Sequence, residues 1–439
     1  MRNLRSDQLN IGVLLYGCGH HQAAWLMEDS SIEQIGDISY YQSLAQLSER
    51  GLLDAVFFAD NQSFPAKSDS ELPAFWLDPI VNLTAISQVT QHIGLVSTIS
   101  SSFSNPYTAA RQILTLDHAT NGRVGWNLVT SMTDIEAQNH SMKALPQHDA
   151  RYHKAQEFAE LMDKLFTSWH KEDFVHDRHN NKVINHEHVH AFHHSGDYFQ
   201  VNGPLSTPSS PQGKPVAMQA GASKQGIALA VKHADAVYSV SWNLKQAKAY
   251  RNKLNTAISE SDTPEKYIKV FPGLVTYVGE TREEALLKKE KLDKALPIEN
   301  AIKQLSTFVR QDCSKWALDE PVPELPPVEA FDGPVGRYET ILEIIEDTDP
   351  TVRELLGYLN AGGGHLTLIG TPEEIVDEME LWFKSGVADG FNLMPPTLPH
   401  SLEDFVTYIV PELQRRGLYR EAYSSHTFKE LLNVHLKIK

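Results

Sequence analysis

The chain has 439 residues, of which 41% are hydrophobic, and its 39 Lys and Arg against 56 Asp and Glu give a formal net charge of −17. This acidity disfavours nucleic acid as a partner, because neutralising phosphates requires clustered Lys and Arg. Two cysteines, Cys18 and Cys313, exclude a disulfide framework, and no apolar run approaches the roughly 18 residues of a membrane span, so we expect a soluble, cytoplasmic protein.

Short apolar runs alternate along the chain with amphipathic stretches, which is the pattern of repeated βα units. The predicted strands, in chain order, cover residues 11–16, 55–59, 93–98, 124–129, 216–220, 236–239, 270–278 and 390–394. Eight strands spread over this length favour a closed (β/α)8 TIM barrel over an open sheet. We therefore predict an α/β protein in which residues 1–439 form a single TIM-barrel domain.

Three helices have strong signals. Apolar residues at helical spacing predict a helix over 149–166. A capping box, Thr371-Pro372-Glu373-Glu374, has proline at the first helical position and predicts a helix ending near Gly386. A further long helix is predicted to begin near Ser401 and to end near Gly417.

Two segments interrupt the alternation of strands and helices. Residues 168–213 are rich in His, Asn, Pro and Ser, and residues 296–365 contain a proline cluster and three successive glycines at 362–364. We expect both to be insertions that form walls or a lid of the active site, because long loops on such a scaffold usually carry function.

Polar residues follow several predicted strands. Asp60 follows the second strand, the three serines at 100–102 the third and Thr130-Ser131 the fourth, and Ser223 comes after the fifth in a position to cap a helix. His148 and Tyr152, one helical turn apart, can share a face. Each feature alone also fits an ordinary turn or cap, but catalytic groups of TIM barrels converge on the C-terminal ends of the strands.

Two motifs resemble known binding motifs, one for zinc and one for dinucleotides. The stretch 186–190 reads H-E-x-x-H, but a zinc site needs this motif on a helix, and its Asn-rich flanks disfavour one, so we predict a solvated insertion without metal. Gly17-Cys18-Gly19 follows the first strand, yet Gln22 stands at the third glycine position of a dinucleotide fingerprint. A Rossmann site is therefore not expected.

The stretch 122–131, GRVGWNLVTS, with Asn139 downstream and His148-Asp149-Ala150-Arg151-Tyr152, closely resembles the bacterial-luciferase-like flavin monooxygenases. Within that family it looks most like the nitrilotriacetate monooxygenase component A branch, which also holds dibenzothiophene-sulfone and long-chain alkane monooxygenases. The resemblance covers nearly the whole chain, with further matching segments at 19–25, 58–60, 100–111, 219–223, 271–274 and 389–396.

Carried over by position, the resemblance implies a set of residues in contact with FMN. These are Asp60, Ser102, His148, Tyr152 and Ser223, with Tyr152 and Ser223 holding the phosphate, and Asn127, Val129 and Ser131 along the isoalloxazine. His20, His21 and Trp25 would form the substrate side of the catalytic site.

The resemblance also implies the chemistry of a cytoplasmic FMNH2-dependent monooxygenase, the oxygenase component of a two-component system. A separate flavin reductase would supply FMNH2, a C4a-hydroperoxyflavin would insert one atom of O2 into a small organic substrate, and the chain would be a homodimer or homotetramer. Leu26 stands where relatives often have Arg, and Gln138, His140 and Ser141 where Arg, Phe and Gly are common, so no substrate is carried over.

Three alternatives stay open on the sequence. An F420-dependent oxidoreductase or a non-catalytic flavin-binding protein of the same fold would retain much of the cofactor site. A metallohydrolase built on residues 186–190 would require stoichiometric zinc.

Overall fold

The computed structural model describes residues 6–64, 77–331 and 335–434. Eight parallel strands form a closed barrel: β1 (Asn10–Leu14), β2 (Ala55–Phe58), β3 (Gly94–Ser100), β4 (Val124–Val129), β5 (Val216–Ala220), β6 (Ala236–Ser239), β7 (Lys269–Val278) and β8 (Gly390–Leu393). Each strand pairs with the next in chain order, and β8 pairs with β1, Ile11 opposite Phe391. The TIM barrel and its eight predicted strands are confirmed, with every strand end within two residues of its predicted place.

The helices that surround the barrel include those predicted. In chain order they are α1 (Ile38–Arg50), α2 (Pro79–Ser87), α3 (Pro106–Ala119), α4 (Asp134–Asn139), α5 (His148–Phe166), α6 (Lys224–His233), α7 (Leu244–Ser259), α8 (Arg282–Ala295), α9 (Ile298–Val309), α10 (Val335–Thr348), α11 (Val352–Leu359), α12 (Pro372–Lys384), α13 (His400–Asp404), α14 (Val410–Arg415) and α15 (Phe428–Leu431). The predicted capping box at Thr371 is present, and Gly386 follows α12 at φ 75°. The helix predicted from Ser401 is divided by a π-helical turn, Phe405–Ile409.

The two faces of the strands form two cores. Outward residues such as Val13, Leu95 and Trp126 pack under the surrounding helices. Inward residues such as Phe57, Met218 and Phe271 fill the barrel. This alternation follows from the period of two along a strand and decides which residues of each strand reach the interior.

Phe428 of α15 closes the N-terminal end of the barrel. A Cβ on Gly94 would lie 2.4 Å from Cδ2 of Phe428, and one on Gly125 would lie 2.8 Å from its Cε1. Both glycines are therefore required for the ring to enter. With this end filled by protein, a ligand site belongs at the opposite end, the C-terminal ends of the strands, which we call the mouth.

Residues 168–213, the hairpin insertion, form two small antiparallel pairs, Phe174–Asp177 with Lys182–Ile184 and His193–Ser195 with Gln200–Asn202. The segment packs on the outside of the barrel. The amide of Ser206 donates to Tyr107 of α3 at 3.1 Å, and His194 and the amides of Tyr198 and Phe199 bond to Glu157 of α5.

Residues 296–365, the helical insertion, contain α9, α10 and α11, and residues 332–334 lie outside the described part. These helices have a hydrophobic core of their own, which also takes in Ala23 from the loop after β1 and Trp242 from the loop after β6. A Cβ added to Gly336 would lie 3.2 Å from the Cβ of Ala222, so α10 lies close to the loop after β5. The helical insertion therefore lies over the mouth.

A ninth parallel strand, Leu366–Gly370, follows the helical insertion and was not predicted. It pairs with the second half of β7, from Leu274 opposite Leu366 to Val278 opposite Gly370. The strand is an addition to the barrel, because β7 has ten residues and continues past the point where it pairs with β8.

Candidate active site at the mouth of the barrel

The ends of β3 and β4 bring hydroxyl groups together. The Oγ atoms of Ser100 and Ser131 are 2.8 Å apart, and Ser102 Oγ donates to the carbonyl of Thr130 at 2.6 Å. Ser131 has φ 52°, a left-handed conformation that turns the chain sharply as it leaves β4. The predicted site residues Ser102 and Ser131 therefore lie side by side at the mouth.

Asn127 and Val129 lie on the inward face of β4, because Gly125, two and four residues before them, contacts Phe428 inside the barrel. Asn127 Nδ2 donates to Thr98 Oγ1 at 3.2 Å, while its Oδ1 is buried with no hydrogen-bond partner among the described residues. Because a buried amide oxygen without a partner is costly, this atom is suited to a ligand donor inside the barrel.

A second group forms where α5 and α6 begin. The rings of His148 and Tyr152 are 4.7 Å apart, as their spacing predicted. A Cβ on Gly221 would lie 3.6 Å from the hydroxyl of Tyr152, so this hydroxyl reaches the loop that precedes α6. Ser223 caps α6 as predicted, its Oγ accepting from the amide of Gly226 at 3.1 Å. The hydroxyl of Tyr152 thus stands near the positive end of a ten-residue helix, where anions bind favourably.

Lys154 links these two groups of residues. Its Nζ donates to the carbonyl of Ser102 at 2.7 Å, which fastens α5 to the end of β3. Burial lowers the pKa of Lys154. Nothing in the sequence distinguished this lysine from others on exposed helix faces.

Asp60 follows β2 on the next side of the mouth. It accepts a hydrogen bond from Gln62 Nε2 at 2.9 Å, and burial, aided by the charges of Asp78 and Glu136, raises the pKa of its carboxyl. His140 donates to the side chain of Gln62.

His140 also stacks on Phe103 at 4.4 Å. His140, which follows β4 and departs from the family pattern, therefore contacts both the loop after β2 and the loop after β3.

His20 lies in the loop after β1, the strand that pairs with β2 on its other side from β3. Its Nε2 donates to the carbonyl of Leu14 at 3.2 Å, its ring stacks on Tyr16 at 5.2 Å, and burial lowers its pKa to about 4. The backbone amide of His20 donates to the carbonyl of Pro395 at 2.9 Å, which ties this loop to the one after β8. His20 is thus a fixed, neutral ring at neutral pH.

His21 and Trp25 are placed differently from His20. His21 is buried, with Nδ1 accepting from the amide of Ala23 at 3.1 Å and Nε2 donating to Asp293 of α8 at 3.0 Å. Since both ring nitrogens have partners within the protein, neither is left for a substrate. Trp25 is half-buried and packs against the core under the helices.

Two residues of the helical insertion reach the mouth, and the sequence did not predict either of them as a site residue. His365 sits against Gly273 of β7, where a Cβ would lie 2.2 Å from its Nδ1. The guanidinium of Arg337 from α10 lies against Gly363 and 4.5 Å over the ring of Phe308. The triple glycine was the available signal for His365, whereas nothing in the sequence marked Arg337.

The H-E-x-x-H motif forms a three-residue 3-10 turn, His186–His188, and His188 Nδ1 donates to Asp173 at 2.7 Å. In the described ranges, no group of three or more His, Cys, Asp or Glu side chains is placed to hold a metal ion. Within the same ranges, no helix is long and apolar enough to cross a membrane.

Comparisons with known proteins agree with this geometry. The chain is 36% identical over 427 residues to N-acetyl-S-(2-succino)cysteine monooxygenase of Bacillus subtilis, covering 97% of this chain and 96% of the relative. It is 35% identical to nitrilotriacetate monooxygenase component A of Aminobacter aminovorans, covering 98% and 97%, and 32% identical to dibenzothiophene-sulfone monooxygenase of Rhodococcus erythropolis, covering 94% of each.

Solved structures give the same result. EDTA monooxygenase (EmoA) from Chelativorans sp. BNC1 superposes with a TM-score of 0.81 at 30% identity, covering 97% of this chain and 98% of that one. DmoA from Hyphomicrobium sulfonivorans gives a TM-score of 0.86 at 29% identity, covering 98% and 92%. An F420-dependent secondary alcohol dehydrogenase, at 15% identity and a TM-score of 0.56, shares the fold alone.

A family model described as luciferase-like monooxygenase matches residues 14–389, which span all but the first few residues of the barrel and its last strand. Together with the relatives that are at least 30% identical over nearly the whole chain, this match agrees with the family resemblance found in the sequence. The chain belongs to the luciferase-like monooxygenase family and is a flavin-dependent monooxygenase.

Proposed function

We propose that this chain is the oxygenase component of a two-component system that uses FMNH2 from a separate flavin reductase. The reaction converts substrate, O2 and FMNH2 into oxygenated substrate, FMN and water, by way of a C4a-hydroperoxyflavin. The observation that carries this proposal is the convergence of the polar residues after β2 to β5 on one mouth, together with the buried amide oxygen of Asn127 on β4, which has no hydrogen-bond partner among the described residues.

The residues of the mouth fit the parts of FMN. The hydroxyls of Tyr152 and Ser223 at the start of α6 suit the phosphate, because a helix N-terminus attracts anions. Asn127, Val129 and Ser131 suit the ring system. The remaining polar residues, Asp60, Ser102 and His148, suit the ribityl chain between these two ends. The flavin supplies the oxygen chemistry, and the protein supplies binding and orientation.

The helical insertion would keep water from the reacting atoms. Its core packs on Ala23 and Trp242 above the mouth, and an oxygenating flavin needs a dry site to avoid losing its oxygen as hydrogen peroxide. On the substrate side, we propose that His20 and Trp25 face the substrate, while His21 holds the loop after β1 against α8. We further propose that the chain is one domain with two insertions, works in the cytoplasm and assembles as a homodimer or homotetramer.

The substrates named for the relatives differ in charge. Nitrilotriacetate and N-acetyl-S-(2-succino)cysteine carry carboxylates, whereas dibenzothiophene sulfone is uncharged. An F420-dependent hydride transfer is disfavoured, because that likeness is limited to the fold.

The test is flavin binding followed by oxygen consumption. FMNH2 is titrated anaerobically into the wild type, Tyr152→Phe and Ser223→Ala, and air is then admitted. Each variant should bind FMNH2 about tenfold more weakly and bind reduced riboflavin as the wild type does, because each loses one hydrogen bond to a charged group. Tyr408→Phe, on an exposed tyrosine of the π-helical turn, is the matched control. Equal affinity of the wild type for FMNH2 and reduced riboflavin would contradict the proposed phosphate site.

A further inference from the structure

Arg337 is a cation at the mouth that has no hydrogen-bonding or ion-pair partner among the described residues. Its guanidinium lies 4.5 Å over the ring of Phe308. Burial lowers the pKa of the guanidinium, which nevertheless stays charged because arginine does not deprotonate in proteins.

Three other buried or half-buried arginines are paired with carboxylates, and the buried Arg123 donates to backbone carbonyls, among them that of Ile93 at 2.7 Å. Arg251 bonds to Asp389, Arg420 to Asp54 at 2.6 Å, and Arg416 to Glu412 at 2.7 Å. With 56 Asp and Glu in the chain, a carboxylate could have been supplied to Arg337 as well. Because an unpaired buried charge is costly, a guanidinium left without an anion is suited to an anion that comes from outside.

The surroundings of Arg337 favour a carboxylate as that anion. His365 is close enough for the charges of Arg337 and His20 to affect it: burial foremost, and then these two neighbours, lower its pKa to about 3. His365 Nδ1 is buried and has no hydrogen-bond partner in the described part of the chain. A neutral imidazole beside a planar guanidinium offers further hydrogen bonding to a carboxylate that the guanidinium binds through two parallel N–H groups.

Arg337 also lies apart from the proposed phosphate site. The residue before it, Gly336, approaches Ala222 beside Ser223, but the guanidinium lies at Gly363, next to the segment where His365 meets β7. The cation thus stands on the side of the mouth that holds His20, opposite Asn127 and the hydroxyls of β3 and β4.

We propose that Arg337, together with His365, binds a carboxylate group of the substrate, so that this monooxygenase acts on organic carboxylates rather than on alkanes or uncharged sulfur compounds. This inference rests on the proposed function and adds the substrate class to it. It assigns Arg337 as a residue that determines specificity and takes no part in oxygen transfer.

The first arm of the test compares acids with their esters. The full chain, loaded with FMN, is titrated with N-acetyl-S-(2-succino)cysteine, nitrilotriacetate and succinate, with the methyl ester of each, and with dibenzothiophene sulfone. At least one acid should bind, and its ester should bind at least about 30-fold more weakly, because the ester removes one partner of a desolvated charge pair. The proposal is overturned if no acid binds more tightly than its ester.

The second arm uses variants of Arg337. Arg337→Gln should weaken binding of the acid at least about 30-fold and leave binding of the ester unchanged, and Arg337→Lys should lose less because it keeps the charge. Arg353→Gln, which breaks an exposed pair with Asp319 in the same insertion, is the matched control and should change neither. Equal binding of the acid to wild type and both Arg337 variants overturns the proposal.

The same variants separate this inference from the proposed function. If Arg337→Gln weakens binding of FMN and not of riboflavin, the guanidinium serves the flavin phosphate and the carboxylate assignment is wrong. If the wild type binds no reduced flavin, the proposed function fails. The titrations with acids and esters test the carboxylate assignment separately from these measurements of flavin binding.

Discussion

The two insertions differ in composition, position and chemistry. The hairpin insertion has eight histidines between residues 170 and 194, packs on the outside of α3 and α5, and forms hydrogen bonds such as that of His194 with Glu157 at 2.9 Å. The helical insertion attracts attention only through its prolines and glycines, yet it brings Arg337 and His365 to the mouth. The histidines of the hairpin insertion thus hold that segment to the outside of the barrel, whereas the helical insertion places at the mouth an arginine that has no partner among the described residues.

The largest expected effect comes from substituting two glycines that are equally crowded, one beside a residue of each insertion. A Cβ on Gly273 would lie 2.2 Å from His365 Nδ1, and one on Gly196 would lie 2.2 Å from Glu157 Oε1. Gly273→Ala and Gly196→Ala should each destabilise the fold by about 1–3 kcal/mol through overpacking.

Only Gly273→Ala should also lower coupled oxygenation, by about tenfold or more, because it displaces His365 at the mouth. Thermal unfolding and reductase-coupled turnover measure the two effects. Equal loss of activity in Gly196→Ala would break the distinction between the insertions.

Glu157 anchors the hairpin insertion. Burial alone would raise its pKa, but hydrogen bonds from His194, Tyr198 and Phe199 hold the pKa of Glu157 below its usual range. Glu157→Gln should therefore lower the free energy of unfolding by about 1–3 kcal/mol at neutral pH and leave kcat and KM unchanged.

The pH dependence of this anchor has a definite sign. A carboxyl whose pKa is depressed in the folded state contributes stability above its unfolded pKa of about 4.3, and the contribution is lost as pH falls below that value. The difference in unfolding free energy between wild type and Glu157→Gln should shrink as pH falls from about 5 to about 3. A difference that stays constant over this range would show that the charge of Glu157 is not what holds the hairpins.

Substitution of Arg337 is expected to have the opposite effects to substitution of Glu157: no loss of stability, but a loss of activity. Arg337→Met removes a charge that has no partner among the described residues from a partly buried position. The free energy of unfolding should therefore stay level or rise by up to about 1–2 kcal/mol, and the melting temperature should change in the same direction. Turnover of a carboxylate substrate should fall in the same variant. A marked drop in melting temperature would indicate that Arg337 holds the helical insertion together.

The smallest effect is expected at the H-E-x-x-H motif. His186→Asn and His190→Asn should change stability by less than about 0.5 kcal/mol and should not alter turnover, as is usual for exposed positions. Dialysis against a chelator should also leave activity unchanged. Loss of activity on chelation, restored by zinc, would return the metal site to consideration.

Much of the fold could be predicted because local signals agreed with tertiary structure. Val124–Val129 is an apolar run that begins after a glycine with φ 91°, and α12 begins at a capping box with proline at its first position. Helix α15 has four residues and no periodicity, so its role in filling the barrel through Phe428 could be seen only in three dimensions.

The candidate site was predictable where resemblance or strand position pointed to it. Asp60, Ser102 and Ser131 follow strands, and strand ends meet at the mouth of any such barrel. The interior position of Asn127 follows from alternation along β4. Arg337 could not be found in this way, because what distinguishes it is the lack of a partner within the described ranges, and pairing between distant segments cannot be inferred from local sequence.

The measurement that tests the central claim most directly is oxygen labelling. The wild type, a flavin reductase, FMN and NADH are supplied with ¹⁸O2 and the carboxylate that binds most tightly, and the product is analysed by mass spectrometry. One ¹⁸O atom per product molecule is predicted for the wild type, while Arg337→Gln at the same substrate concentration should release mainly hydrogen peroxide. Unlabelled product, or peroxide alone from the wild type with every compound tested, would contradict the account.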